Sequence, residues 1–150
     1  MPDHPLKARI TEAMKDAMRA RAKERLGAIR LILSELKKIE VDERVDVDDT
    51  RVISVLDKMV KQRRESIKLY DAGNRPELAA AEQAEIDVIQ YFMPAAVSEA
   101  EINDILARAI TEAGASSMKD MGAVMNIARP QLVGRADMGV VSQLVKKLLS

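Results

Sequence analysis

The feature that most limits the fold is the spacing of the apolar residues. They recur every three or four positions from end to end and never alternate as they do in strands. That period lines one face of an α-helix, and a chain that carries it throughout leaves no segment patterned for a sheet. Gly, Pro and small polar residues fall at the edges of the periodic stretches, where helices start and stop. The expected fold class is all-α.

A first helix over Pro5–Met18 carries Leu6, Ile10, Met14 and Met18 on one face. A second, Lys23–Glu40, carries Leu26, Ile29, Ile32, Leu33 and Leu36. Neither Gly nor Pro separates them, so one long helix stays open as an alternative. Asp48 is placed to cap a third helix, with Val47 and Val52 as a hydrophobic staple and a core stripe of Val52, Leu56, Met59, Ile67 and Tyr70. Asn74 with Glu77 reads as a capping box for a fourth helix, which stops before Pro94. The short Gly73-Asn74 joint makes helices three and four an antiparallel hairpin.

Past Pro94 the pattern restarts. Ser98 and Glu101 form a capping box stapled by Val97 and Ile102, and Gly114 stands where a left-handed C-cap belongs. Ser117 and Asp120 repeat the cap for a sixth helix with Met121, Val124, Met125, Ala128 and Leu132 on its core face, ending at Gly134. Asp137 caps a seventh, with Val140, Val141, Leu144, Val145, Leu148 and Leu149 as its apolar stripe and Lys146 and Lys147 opposite. The expected organisation is an N-terminal domain of about four helices over 1–93, a linker at 94–97 and a small three-helix domain over 98–150.

Composition excludes several classes of function. The chain has no Cys, which removes thiol nucleophiles, thiolate metal sites and disulfides. His4 is its one histidine, read as a frayed terminal residue, so no metal site and no catalytic residue is expected, and no cofactor. Tyr70, Tyr91 and Phe92 are the only aromatics, too few for binding modes that stack successive bases. No apolar run reaches the ~20 residues of a membrane span, and no apolar segment at the N-terminus marks export. These absences set the expectation of a cytoplasmic protein with no membrane partner.

Net charge is zero but unevenly spread: residues 1–44 and 117–150 are each +3, while 74–97 and 98–116 are each −3. An anionic partner should meet the two ends of the sequence. Lys23, Arg30 and Lys37 line one helix face and Lys61, Arg64 and Lys68 another, both diluted by acids and read as solvated surface. Arg63 and Glu85 interrupt apolar stripes at positions that the hairpin brings level, so they are expected to form a largely buried ion pair that fixes its register.

The richest segment is 117–137. Lys119, Gly122, Asn126 and Arg129 share a helix face beside the apolar stripe, and Arg129 and Arg135 bracket Gly134. The turn Gly134-Arg135-Ala136-Asp137 leads into a helix N-terminus, where backbone donors favour phosphate. Equally open is a reading in which Gly122 serves only helix packing and Gly134 only a C-cap.

Gly114-Ala-Ser-Ser-Met-Lys-Asp-Met-Gly-Ala-Val-Met125, followed by Gly134-Arg-Ala-Asp137, resembles the YqeY family. Lys23-Glu-Arg-Leu26, Ile29-Arg30, Lys61-Gln-Arg-Arg64, Glu85-Ile86 and Pro94 extend the resemblance along the whole chain. The family is related to the tail domain of GatB, the tRNA-facing subunit of the Asp/Glu-tRNA amidotransferase, a carbon–nitrogen ligase with glutamine as amide donor. The resemblance implies a tRNA-binding accessory module, with an aminoacyl-tRNA synthetase or amidotransferase complex as further partner. Lys119, Gly122, Arg129, Gly134 and Arg135 carry over as tRNA-facing residues, and Asn126 shares their face. The chain departs from the family pattern at Ala20-Arg21-Ala22, which bears on the first helix break. No stand-alone active site is visible, because glutamine-dependent transfer needs a nucleophile and an ATP site. The competing expectation is a helical protein–protein adaptor whose Met-rich faces hold a partner helix.

Overall fold

The computed structural model describes residues 5–150, so the reading of His4 lies outside the described residues. These residues form α1 (Pro5–Arg19), α2 (Lys23–Glu43), α3 (Asp49–Ala72), α4 (Pro76–Tyr91), α5 (Glu99–Ala113), a 3-10 turn at Met118–Asp120, α6 (Met121–Leu132) and α7 (Met138–Leu149). Among the described residues there is no strand. The chain divides into two compact units, Met1–Met93 and Pro94–Ser150.

In the first unit the core is Ile10 and Ala17 from α1, Ile29, Ile32 and Leu36 from α2, Val52, Leu56, Met59 and Val60 from α3, and Ile86, Ile89 and Phe92 at the end of α4. Met18, expected on the α1 stripe, is exposed, and Ala17 is buried in its place. The weak break after α1 is a full one. Arg21 takes the left-handed conformation (φ 56°), Ala22 N–H donates to Ala17 O and Arg21 N–H to Met18 O, the two bonds of a Schellman ending. Helices α1 and α2 are therefore separate, and an arginine holds the place that glycine usually takes.

The Asp48 cap forms as expected, its side chain accepting from Arg51 N–H, with Val47 and Val52 both buried. The Asn74–Glu77 capping box does not form. Pro76 disfavours the helical conformation in the residue before it, so Arg75 (φ −120°, ψ 67°) becomes the N-cap. Asn74 turns left-handed (φ 56°) and closes α3 with a second Schellman pair of bonds.

The apolar stripe expected on α4, Leu78, Ala81, Ile89 and Phe92, holds only in its second half: Ile89 and Phe92 are buried together with Ala79 and Ile86, whereas Leu78 and Ala81 are exposed. Alanines at 79, 80, 81 and 84 make the first half of α4 mildly apolar all round, so Ile86, Ile89 and Phe92 decide which side turns inward.

The second unit has its own core of Ile102, Leu106, Ala109, Val124, Ala128, Leu132, Val141, Val145 and their neighbours. Ser98 accepts from Glu101 N–H, Gly114 caps α5 at φ 63°, and Asp137 accepts from Gly139 N–H. The Ser117–Asp120 box is present but opens the 3-10 turn rather than α6 itself. Val140 and Leu148, expected in the core stripe of α7, are exposed.

Candidate functional site

Gly122, Asn126 and Arg129 follow one another on α6 at spacings of four and three, which places them on one face, and all three are exposed. The flank of α6 beside this face carries the buried Val124, Met125, Ala128 and Leu132. Lys119 is exposed in the 3-10 turn that leads into this helix. Among the described residues, neither Lys119 nor Arg129 has a carboxylate within ion-pair distance. A Cβ built on Gly122 would meet no atom within 4 Å. Packing among the described residues therefore gives no reason for a glycine there.

Gly134 adopts φ 76° after α6, a conformation that side chains resist, and Arg135 and Ala136 N–H both donate to Leu132 O. This turn ends a helix, and its first two donors are already used.

Arg135 stands apart from the other cations. Its Nε lies 3.3 Å from Ala95 O and its Nη1 3.4 Å from Gln131 O, while Nη2 is 3.6 Å from Glu101 Oε2. Its own carbonyl accepts from Val97 N–H at 3.0 Å. Arg135 thus ties the segment at 95–97 to the α6–α7 turn, and Glu101 offsets its charge. No local signal could have shown the tie to this segment, because Ala95 is 40 residues away in sequence.

In the first unit, Arg63 Nε donates to Glu85 Oε2 at 2.6 Å and its Nη1 to Met59 O at 3.2 Å. The Arg63 side chain is 15% exposed and that of Glu85 35%, so the pair is half-buried rather than largely buried. The reason is a groove of about 840 Å³ between α2 and α4, which Glu85 lines together with Gly27, Ala28, Leu31, Ala84 and Val88. On the two basic stripes, Lys61 pairs with Asp57 and Lys68 with Glu65, whereas Lys23, Arg30 and Lys37 are exposed.

One cluster was missed by sequence reasoning: Arg9 and Arg25 both lie against Tyr91 and Phe92. The only hint in the sequence was that two of three aromatics stand side by side. Among the described residues, no group of three His, Cys, Asp or Glu side chains could hold a metal, and no helix is long and apolar enough to cross a membrane.

Comparison with known proteins gives relatives along the chain. Altered inheritance of mitochondria protein 41, mitochondrial, of Pyrenophora tritici-repentis is 28% identical over 99% of this chain and 83% of its own length. The proteins of the same name from Lachancea thermotolerans and Eremothecium gossypii are 33% and 34% identical over 70% and 68% of this chain. The chain matches 58% and 56% of the length of those two. These names correct the cytoplasmic expectation, which rested on absences in the sequence, whereas the relatives are named as mitochondrial. The family model described as Yqey-like protein matches residues 7–149, nearly the whole chain, and the chain belongs to that family.

Proposed function

We propose that the second unit binds tRNA through the exposed face of α6 and the turn before it, as an accessory module rather than a catalyst. The observation that carries the reading is Gly122. It is an exposed helical glycine that no contact among the described residues requires, placed in sequence between Lys119 and Arg129, cations without an ion-pair partner among those residues. A glycine in a helix costs up to about 1 kcal/mol relative to alanine, so bare backbone there is useful where another backbone approaches closely. Phosphate fits both cations and the bare helix surface. With few aromatics available, recognition runs through shape and backbone rather than stacked bases.

The organisation proposed with it is an N-terminal domain in which α3 and α4 form an antiparallel hairpin, and a three-helix C-terminal domain. The Arg63–Glu85 bond and the two compact units support it. An aminoacyl-tRNA synthetase or amidotransferase complex is the proposed macromolecular setting, and the relatives' names favour a mitochondrial one.

The test is tRNA binding by the full chain across a salt series. Lys119→Ala with Arg129→Ala should weaken binding of several tRNAs alike and make the salt dependence shallower by about two phosphate contacts. Gly122→Ala should stabilise the second unit by up to about 1 kcal/mol and weaken binding at the same time. Arg135 is a poor probe, since its removal also takes away a bond to the segment at 95–97. Unchanged tRNA affinity in the double variant would overturn the site. Absence of tRNA binding at low salt would favour the adaptor reading, which draws on Val140 and Leu148, 54% and 52% exposed on α7.

A further inference from the structure

The only two aromatic residues that adjoin in this chain hold two arginines from different helices. Arg9 of α1 has its guanidinium carbon 5.1 Å from the centre of the Tyr91 ring and 5.6 Å from that of Phe92. Arg25 of α2 stands 4.7 Å and 5.9 Å from the same two centres. The rings meet edge to face, 5.1 Å apart. Because both cations lie against Tyr91, they are at most about 10 Å apart, near one screening length in physiological salt, and they repel. Among the described residues, no carboxylate lies within ion-pair distance of either. Arg9 is also held in place, its Nη2 donating to Tyr91 O at 3.2 Å. Tyr91 is 57% exposed, so the cluster opens to solvent.

We propose that Arg9 and Arg25 form a binding site for a phosphate monoester beside the exposed Tyr91 ring. Two guanidinium forks present more donors than one carboxylate can accept, and their joint charge matches a phosphate dianion. Stacking on the rings holds both forks before the ligand arrives, which lowers the ordering cost of binding. The site lies in the first unit and does not rest on the tRNA reading of the second. Two sources supply the same chemistry: a small phosphorylated metabolite, and the 5′-phosphate of an RNA.

The test uses the full chain with Tyr70→Phe, which leaves Tyr91 as the sole tyrosine reporter. Inorganic phosphate is titrated at constant ionic strength while tyrosine emission is read. The expected result is a saturable change in emission, with half-saturation raised at least about tenfold by Arg25→Gln or Arg9→Gln. Arg25→Lys, which keeps charge and loses the fork, should weaken binding less than Arg25→Gln. Circular dichroism confirms that each variant keeps its helix content, and Arg25→Lys serves where a glutamine variant does not fold. Glycerol phosphate and a short RNA with a 5′-phosphate, set against the same RNA with a 5′-hydroxyl, identify the source, and a response to either phosphate supports the site. No saturable change by about 20 mM phosphate, well beyond millimolar affinity, would overturn it. So would equal curves for the parent and the glutamine variants, or an equal response to chloride.

Discussion

Arg63 and Glu85 differ in how far each is withdrawn from water, and the difference sets what removing either one does. Glu85 borders the α2–α4 groove, where water can replace its partner; Arg63 is less than half as exposed. Glu85→Ala should therefore destabilise the first unit by about 2 kcal/mol, because it strands a mostly buried cation that keeps only its bond to Met59 O. Arg63→Met should cost about 1 kcal/mol or less, since the freed carboxylate rehydrates and the methionine fills the same space. Chemical denaturation of the two variants checks the order, and a larger loss for Arg63→Met would show that the groove does not hydrate Glu85. The positions of both residues could be read from the sequence, because each interrupts an apolar period. Their exposure could not, since it depends on how α2 and α4 separate. Arg135 shows the same limit more sharply: its sequence neighbours suggested a free cation at a helix start, and its partners lie at Ala95 and Glu101.

Helix ends were legible wherever a side chain caps its own helix. Asp48, Ser98 and Asp137 each accept from an N–H two or three residues ahead, an interaction that sequence spacing contains in full. Legibility failed where backbone conformation decided, at Arg21 and Asn74 in the left-handed region and at Pro76, which shifts the start of α4 by one residue. It failed also for the first half of α4, where a run of alanines leaves the wheel without a clear apolar side. The α2–α4 groove is lined by Gly27 of α2, which is exposed. A Cβ at Gly27 would meet nothing within 4 Å, so no contact among the described residues explains the glycine. Gly27→Ala should raise the stability of this unit by about 0.5–1 kcal/mol through helix propensity alone. Thermal melts should show the gain as an upward shift of the first unit's transition. A loss would mean that the groove closes more tightly than its open walls indicate.

For the whole chain, the informative place is the passage from one unit to the next. Pro94 ends the first helical pattern, and Ser98 begins the second with its own cap. The stretch between them is without helix, yet it is not uniformly free. Ala95 O accepts from Arg135 Nε and Val97 N–H donates to Arg135 O, so 95–97 is bound to the second unit while Met93 and Pro94 lack those ties. Backbone that is hydrogen-bonded resists the extended conformation a protease needs, and local opening must come first. Limited proteolysis should therefore cut first between the units, at 93–96, leaving two helical fragments. In Arg135→Ala the side-chain bond and the Glu101 contact are gone, so cleavage there should be several-fold faster, with the helices themselves unaffected. Mass spectrometry of the first fragments reads both outcomes. First cleavage within α3 or α6 would refute the boundary, and an unchanged rate in Arg135→Ala would show that the Val97–Arg135 backbone bond alone secures the segment.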